Sequence, residues 1–403
     1  MTTADQLISN LKGIDATSFA NDAERIRARD AIFEAFRRHK SPWDIAWDHN
    51  WVNPAINACI KTLSDAGVFT KWAEAGGEPI TCSQLENLTG ADALLIRRMM
   101  RALAGQCLVT EVGHDTYART PWAKALTGNP PFACLYGATY HEVMGPGFVA
   151  LPSYLKKTNY RNPTDCNDCN LQFWRGQPGN LFDFIQSNPL LRSDFNDAMV
   201  IHSQSNLMPW VDVYPTETII AAAEARPTQT RPLVVDVGGG KGHDLKKFLA
   251  THRGHVPAGS LVLLDLPEML KDVDVEFEGG SAIIVQTHDF FNPYPDSVKG
   301  ARAYFMHTVL HDWPDETARQ ILQQLVPAME KGYSRLLIHE HVVSSERPSA
   351  RVTVLDITMM AFLAAAERTE EQWRDLVESV GLRVVKIWRT VQGTDSIVEA
   401  EVS

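Results

Sequence analysis

Short apolar runs alternate with segments of helical periodicity through the second half of the chain. Each run has the length of a buried strand, and the segments between them have apolar residues at helical spacing. Strands that alternate with helices predict a doubly wound α/β sheet with mostly parallel strands. The strands are expected at 233–237, 260–264, 281–285, 302–309 and 335–339, followed by a terminal hairpin over 383–401.

The N-terminal third has helical periodicity, first over 21–38 and then over 51–72. From residue 80 the order becomes helix, turn, helix, hairpin. Thr81 caps the first helix and Gly90 ends it, and a second helix is expected over 92–105. Two strand-like segments around a turn at 113–115 complete a winged-helix pattern.

The middle of the chain, 126–227, is helical and rich in aromatic residues, which would either line an apolar pocket or pack in the core. We therefore divide the chain into a helical and winged-helix region (1–125), a helical region that lines the substrate (126–227) and an α/β domain (228–403).

The net charge of the chain disfavours some classes of function. The 403 residues contain 38 Lys and Arg against 49 Asp and Glu, a net charge of −11. That acidity disfavours nucleic-acid binding, so the winged helix is expected to pack against another subunit. The alternative is a DNA-binding regulator that uses Arg97, Arg98 and Arg101 as groove contacts. The first 30 residues carry charges throughout and no segment is long and apolar enough to span a bilayer, which indicates a cytoplasmic protein.

Cys166 and Cys169 form the one C-x-x-C spacing among six cysteines. A metal site needs a second pair or histidines at ligand spacing, and neither is present, so no metal is expected. The sequence leaves the role of this pair open.

A glycine-rich loop follows the first strand. Gly238, Gly240 and Gly242 allow a tight turn and a close approach to a ligand, with a helix N-terminus behind them. Asp236 just before the loop suits a cationic or amine-bearing ligand. Asp265 ends the second strand, where an acid can bind ribose hydroxyls. After the third strand, Asp289 and Phe290 are candidates to hold an adenine.

His311 follows the fourth strand, at the edge of the sheet where ligands bind. An imidazole with a pKa near ~6.5 suits general-base chemistry at neutral pH. Glu340, expected at the end of the fifth strand, and Glu367, before a helix, are candidates to orient it.

These motifs resemble those of class I S-adenosylmethionine (SAM)-dependent O-methyltransferases of the large, dimeric, small-molecule type, and the resemblance covers nearly the whole chain. It rests on the motifs VDVGGG (235–240), DLP (265–267), HDW (311–313) and ERTEEQW (367–373). It implies a Rossmann-like methyltransferase domain, SAM as cofactor and a homodimer in which each N-terminus helps to close the partner's active site. The implied contacts are Asp236, Gly238 and Gly240 at the cofactor's amino-acid end, Asp265 at the ribose, Asp289 and Phe290 at the adenine, and Trp313 beside the cofactor.

The implied reaction is O-methylation of a small-molecule hydroxyl, with His311 as base and Glu340 and Glu367 beside it. Relatives often have Lys or Arg four residues before that histidine, where this chain has His307, so the role of His307 stays open. A second enzymatic hypothesis is a methyltransferase-like protein that uses bound SAM without methyl transfer and catalyses dehydration or a pericyclic rearrangement. The sequence does not name the acceptor, and the candidate residues for its pocket are Asp312, Met359, Met360 and Phe362.

Overall fold

The computed structural model describes residues 4–129, 131–204, 208–225, 231–271, 273, 283–346, 348–390 and 395–403. The chain forms two compact units. Unit 1 consists of Met1–Glu142 and Pro189–Ser203, and unit 2 of Val143–Asn188 and Gln204–Ser403. The expected boundary between residues 227 and 228 lies outside the described residues.

Helices and one small sheet build the N-terminal part of unit 1. The predicted helical segment 51–72 is broken at Gly67, whose φ of +73° ends one helix and starts the next. A π-helical turn at Asp48–Val52 precedes the first of these two helices. The elements are α1 (Ala4–Lys12), α2 (Asp22–His39), α3 (Pro42–Trp47), α4 (Asn53–Asp65), α5 (Val68–Glu74), β1 (Ile80–Thr81), α6 (Cys82–Thr89), α7 (Ala93–Gly105), β2 (Val109–Gly113), β3 (Thr116–Arg119) and α8 (Pro121–Ala125).

The helix, turn, helix, hairpin order that the sequence predicts is present in α6, α7 and the antiparallel β2–β3 hairpin, with β1 added to its edge. Thr81 caps α6 through a capping box, and Gly90 ends it at φ +75°. Arg97 and Arg101 both pair with Asp115 in the hairpin turn, at 2.5 and 3.3 Å. Two of the three arginines that DNA binding would use therefore hold this small sheet to α7.

The middle of the chain is helical, as expected. Most of its helices belong to unit 2, whereas the helix that starts at Pro189 belongs to unit 1. They are α9 (Gly145–Lys157), α10 (Asn170–Arg175), α11 (Leu181–Ser187), α12 (Pro189–Gln204), α13 (Trp210–Val213) and α14 (Glu217–Glu224).

The rest of unit 2 alternates strands and helices. Its elements are β4 (Val234–Val237), α15 (His243–Thr251), β5 (Leu261–Asp265), α16 (Pro267–Leu270), β6 (Ile284–Thr287), β7 (Ala303–His307), α17 (Asp315–Leu325), β8 (Arg335–Val343), α18 (Ala350–Leu363), β9 (Arg368–Thr369), α19 (Glu370–Glu378), β10 (Leu382–Arg389) and β11 (Asp395–Val402).

The main sheet has the order β10-β11-β8-β7-β4-β5-β6. Strands β4 to β8 pair in parallel, and β10 and β11 form an antiparallel hairpin at one edge. This is the doubly wound sheet that the sequence predicts. The fifth strand was expected to end at His339, with Glu340 just after it. That end was wrong, because pairing with β11 continues through His341 and places Glu340 inside β8.

Two other strands differ from the prediction by more than one residue at a bound. The third strand is β6, which begins at Ile284, and residues 281 and 282 of the predicted run lie outside the described residues. The fourth strand ends at His307 rather than at Val309.

The core explains the continuous apolar runs, because β4, β5 and β7 are buried on both faces. One face packs against α17 and α19 and the other against α13 and α15. In the described part of the chain, no helix is long and apolar enough to cross a membrane.

Candidate active site

The glycine loop leaves the carboxyl end of β4 in a conformation that only glycine adopts easily. Gly238, Gly240 and Gly242 have φ values of +70°, +55° and +71°. A Cβ on Gly239 would overlap with Asp236 and come within 2.6 Å of the Leu263 side chain. At Gly239 the loop is therefore packed directly onto the strand ends, with no room for a side chain.

Asp265, at the end of β5, holds this loop in place. Its Oδ2 accepts the Gly240 N–H at 2.8 Å, and its Oδ1 accepts the N–H of Leu266 at 2.7 Å. Burial raises the pKa of this carboxyl above its usual value. Each oxygen keeps a second lone pair, so the carboxyl can bind the loop and a ligand hydroxyl together.

Asp236 is the unusual group at this edge. It is 1% exposed, and neither carboxyl oxygen has a hydrogen-bond partner within the described residues. Burial raises its pKa well above the usual value, with Asp244 and Asp265 adding to the effect. A buried carboxyl without a partner is unfavourable, and a ligand amine would supply the missing hydrogen bonds. This loop therefore fits an amine-bearing ligand.

An aromatic group lies beside the loop. Trp313 contacts Phe290 and Phe291 edge to face, with ring centroids 6.1 and 5.1 Å apart. Phe290 in turn lies 3.9 Å from the place that a Cβ on Gly238 would occupy. Asp289 accepts the N–H of Phe291 at 3.0 Å, which fixes the turn that carries both phenylalanines. Flat aromatic faces next to a glycine loop fit a planar base.

His311 lies in a 3-10 turn, Leu310–Asp312, that follows β7. Its side chain is buried, and Nδ1 lies 2.8 Å from Oε1 of Glu367. Nε2 lies 3.5 Å from Oδ1 of Asp312. The Glu367 contact places the N–H on Nδ1, which leaves the lone pair of Nε2 for a ligand proton.

Glu340 holds the backbone of that turn rather than the imidazole. Its Oε1 accepts the N–H groups of Val309 and Leu310, both at 2.9 Å, and that of His311 at 3.4 Å. Its closest approach to the ring is Oε2 at 3.9 Å from Nδ1. The two glutamates have different partners, which their positions in the sequence did not distinguish. Glu367 binds the ring, and Glu340 binds the turn that presents it.

Two residues that sequence reasoning missed position Glu367 and the turn. Asp356 on α18 accepts the Glu367 N–H at 2.9 Å. Arg368 is almost wholly buried and donates to the carbonyls of Leu310 and Trp313, the first residue of the turn and the residue after it, at 2.9 and 2.8 Å. The pairing of β9 with β8 brings this segment alongside the turn.

The carboxyl groups determine the charge of the imidazole. Burial by itself would lower the pKa of His311, but Glu340, Asp312 and Glu367 together raise it to about 10. Burial raises the pKa of Asp312 to about 6 and also raises that of Glu340. At neutral pH, in the absence of another charge, the site therefore favours the imidazolium form.

Comparison with known proteins identifies the family. Residues 167–383 match the profile of the O-methyltransferase domain, and residues 54–129 match the O-methyltransferase dimerisation domain. The chain belongs to the O-methyltransferase family. SAM is the methyl donor of this family and hence the cofactor of this enzyme.

The methyltransferase is similar to curated fungal enzymes along most of its length. It is 36% identical to O-methyltransferase mfmE of Annulohypoxylon moriforme over 401 residues, which cover 98% of this chain and 95% of the relative. It is 36% identical to O-methyltransferase asqD of Emericella nidulans, over 86% of this chain and 87% of the relative.

Solved structures show the same fold. LepI in complex with SAM superposes with a TM-score of 0.88 at 24% identity, over 99% of this chain and 98% of LepI. The mitomycin 7-O-methyltransferase MmcR superposes with a TM-score of 0.69 at 25% identity, over 94% of this chain and 99% of MmcR.

Three of the candidate pocket residues of the methyltransferase, Met359, Met360 and Phe362, lie on α18, which contacts the turn that carries His311 and Asp312. Met359 and Phe362 are buried, and Met360 is half-buried. Phe362 packs edge to face on Phe148 and fills the space next to Gly147, where a Cβ would overlap with it.

Trp210, one of the aromatic residues of the middle region, is fully buried between Phe248 and Phe305 and belongs to the core.

His307 of the methyltransferase binds Asp244 through Nδ1 at 2.8 Å. Burial opposes the charge on both groups, yet their mutual attraction lowers the pKa of Asp244 to about 2 and raises that of His307. His307 also stacks on His339 with centroids 4.1 Å apart. The His307–Asp244 pair joins the end of β7 to α15, the helix that follows the glycine loop.

Cys166 and Cys169 are both buried free thiols. Burial raises the pKa of both and brings that of Cys169 to about 11, which makes them unreactive. Within the described residues, no group of His, Cys, Asp and Glu could hold a metal ion.

Proposed function

We propose that this enzyme transfers a methyl group from SAM to a hydroxyl of a small phenolic, enolic or polyketide-derived metabolite, with His311 as general base. The observation that carries the proposal is the contact of Glu367 with Nδ1 of His311 at 2.8 Å. It directs Nε2 toward the acceptor and stabilises the imidazolium that forms when the hydroxyl proton arrives.

The proposed cofactor contacts follow the strand ends. Asp236, Gly238 and Gly240 would hold the amino-acid end of SAM, which supplies the missing partner of the buried Asp236 carboxyl. Asp265 would bind the ribose with its remaining lone pairs. Asp289 and Phe290 would hold the adenine, with Trp313 beside it.

When bound, SAM supplies a methyl group that its sulfonium has already activated, so alignment provides much of the rate. The enzyme's part is to align the hydroxyl and remove its proton. His311 must be neutral for that step. Carboxyl groups raise its pKa to about 10, and a cation bound nearby would lower that pKa. His311 would therefore be more readily neutral beside the positive charge of bound SAM.

The acceptor would lie against α18. We assign Met359, Met360 and Phe362 to the apolar wall and Asp312 to the acceptor hydroxyl, since its Oδ1 is 3.5 Å from Nε2 of His311. The aromatic helices of the 126–227 region would supply further apolar surface. Such a pocket accepts phenols, polyketide enols and hydroxypyridones.

The enzyme would act as a homodimer. The family match at residues 54–129 is to the dimerisation domain. Trp43, Trp47 and Trp51 form a ring cluster with each ring about half exposed, which is apolar surface available to a second copy. Light scattering should give twice the mass of the 403-residue chain. A monomer at micromolar concentration would contradict a dimer.

One observation favours a second activity. The neighbouring carboxyl groups raise the pKa of His311 to about 10, so its imidazolium form can serve as an acid, and an acid suits dehydration or rearrangement. Mass spectrometry separates the two after incubation of phenols, polyketide enols and hydroxypyridones with methyl-labelled SAM. Methyl transfer adds one labelled methylene to the product and releases equimolar S-adenosylhomocysteine (SAH). A product of unchanged mass, or one lighter by a water molecule, that forms without release of SAH would contradict methyl transfer.

A further inference from the structure

The short helix α11 presents two side chains toward the cofactor edge of the sheet. Phe182 and Gln186 are four residues apart and so share one face of the helix. The Phe182 ring stacks on Trp313, with centroids 5.8 Å apart and planes at 30°. The Gln186 amide donates to Sδ of Met269 at 3.9 Å.

The strand order shows what lies beneath this face. Trp313 follows β7, whereas Met269 lies in α16, after β5. The strand between β7 and β5 is β4, which carries the glycine loop. Parallel strands lie about 4.8 Å apart, so the two contacts of α11 are roughly 10 Å apart across the sheet. A helix that contacts both must cross the carboxyl end of β4.

A series of ring contacts connects α11 to the glycine loop. Phe182 contacts Trp313, Trp313 contacts Phe290, and Phe290 adjoins Gly238. Rings therefore lead from α11 to the loop along one side. On the other side, Gln186 reaches the helix that follows Asp265. The strand order and these two contacts therefore place α11 across the carboxyl end of β4, where the loop begins.

The neighbouring aromatic residue of α11 points elsewhere. Phe184 lies beneath the guanidinium of Arg175, 3.5 Å from the ring centroid. Leu181 and Ile185 are buried and anchor the helix. A capping box between Asn180 and Asp183 fixes its start. The helix is thus held by other contacts, which leaves Phe182 and Gln186 for the cofactor edge.

We propose that α11 covers the cofactor, with Phe182 packing on the adenine next to Trp313 and Gln186 fixing the cover to Met269. This inference rests on the adenine position proposed above. Phe182 then acts as a cofactor-binding residue, and its loss shortens the time that the cofactor stays bound. The cover also keeps water from the adenine side of the site.

Calorimetric titration of the intact enzyme with SAH tests this without any turnover. F182A should raise the Kd by about 5- to 100-fold, the range for loss of one base–aromatic stack. Q186A should raise it by about 2- to 10-fold, as for one neutral hydrogen bond. F184A is the matched control, with the same residue change on the same helix, and should bind SAH as the wild type does.

Adenosine serves as the second probe, because it lacks the amino-acid end. F182A should weaken adenosine and SAH by the same factor. F182L keeps apolar volume without the ring, so it should also raise the Kd for SAH, with less risk to folding. Thermal melting shows whether each variant is folded. Wild-type SAH affinity in F182A and F182L, or an equal loss in F184A, would overturn the proposal. H311A should bind SAH normally, so failure of the base assignment would leave this result unchanged.

Discussion

Oε1 of Glu367 lies 2.8 Å from Nδ1 of His311, on the side of the ring away from Nε2. This contact fixes both the tautomer and the orientation of the imidazole. Glu340 is equally buried, but it binds the backbone of the turn that carries the histidine. The two acids therefore differ in the step that each one supports.

Substituting each glutamate by glutamine should separate these roles. E367Q replaces the carboxylate that accepts the Nδ1 proton by an amide that can donate to Nδ1, which favours the wrong tautomer, and should lower kcat by about 100-fold or more. E340Q keeps a carbonyl oxygen that still accepts the backbone N–H groups, and should lower kcat by less than about tenfold. Steady-state kinetics with SAM and an identified acceptor measures both. An equal loss in the two variants would contradict the assignment.

The pH profile of kcat/KM for SAM should report the pKa of His311 in the free enzyme. Its folded pKa is raised, so the base form appears only as the pH rises, and the rising limb should lie well above pH 6.5. Because Glu340 is the largest cause of that increase, E340Q should move the limb toward lower pH. A wild-type limb at or below pH 6.5, or one that does not move in E340Q, would speak against His311 as the titrating base.

Arg368 should act as a positioning residue. Its guanidinium donates to Leu310, Trp313 and Asp315, and a lysine cannot make these contacts with the same geometry. R368K should lower kcat by about tenfold or more while the Kd for SAH stays the same. R374K is the control, because Arg374 forms an exposed pair with Glu370 on the following helix. Wild-type kcat in R368K, or an equal change in R374K, would contradict the role.

Gly239 should not tolerate a methyl group. A Cβ there would overlap with Asp236 and with Leu263, both part of the packed strand ends. G239A should lower the melting temperature and raise the Kd for SAH by about tenfold or more, as overpacking does. G105A is the control, because a Cβ at Gly105 has no atom within 4 Å. Normal SAH binding by G239A would mean that the loop is not packed as described.

The sequence was most informative where chemistry coincides with strand ends. The glycine loop, Asp265 and His311 could be located because apolar runs mark strands, and the carboxyl ends of parallel strands share one edge of the sheet. Arg368 and Asp356 could not be found in this way. Their partners lie 53 to 58 and 11 residues away, and only the folded chain brings them together.

The difference between Glu340 and Glu367 was also beyond the sequence. Both are acids near a predicted strand or helix end, and the residue type does not show whether a carboxylate faces a ring nitrogen or a backbone N–H. The break at Gly67 has a related cause. Apolar spacing continues through that position, and the positive φ of the glycine ends the helix regardless.

The most direct test of the account is single-turnover transfer of a labelled methyl group by H311A, with SAH affinity measured on the same preparation. Loss of the base should slow transfer by roughly 10²–10⁴-fold, the usual contribution of a general base, while the Kd for SAH stays at the wild-type value. Transfer by H311A at a near wild-type rate, with SAH still bound normally, would show that His311 is not the base.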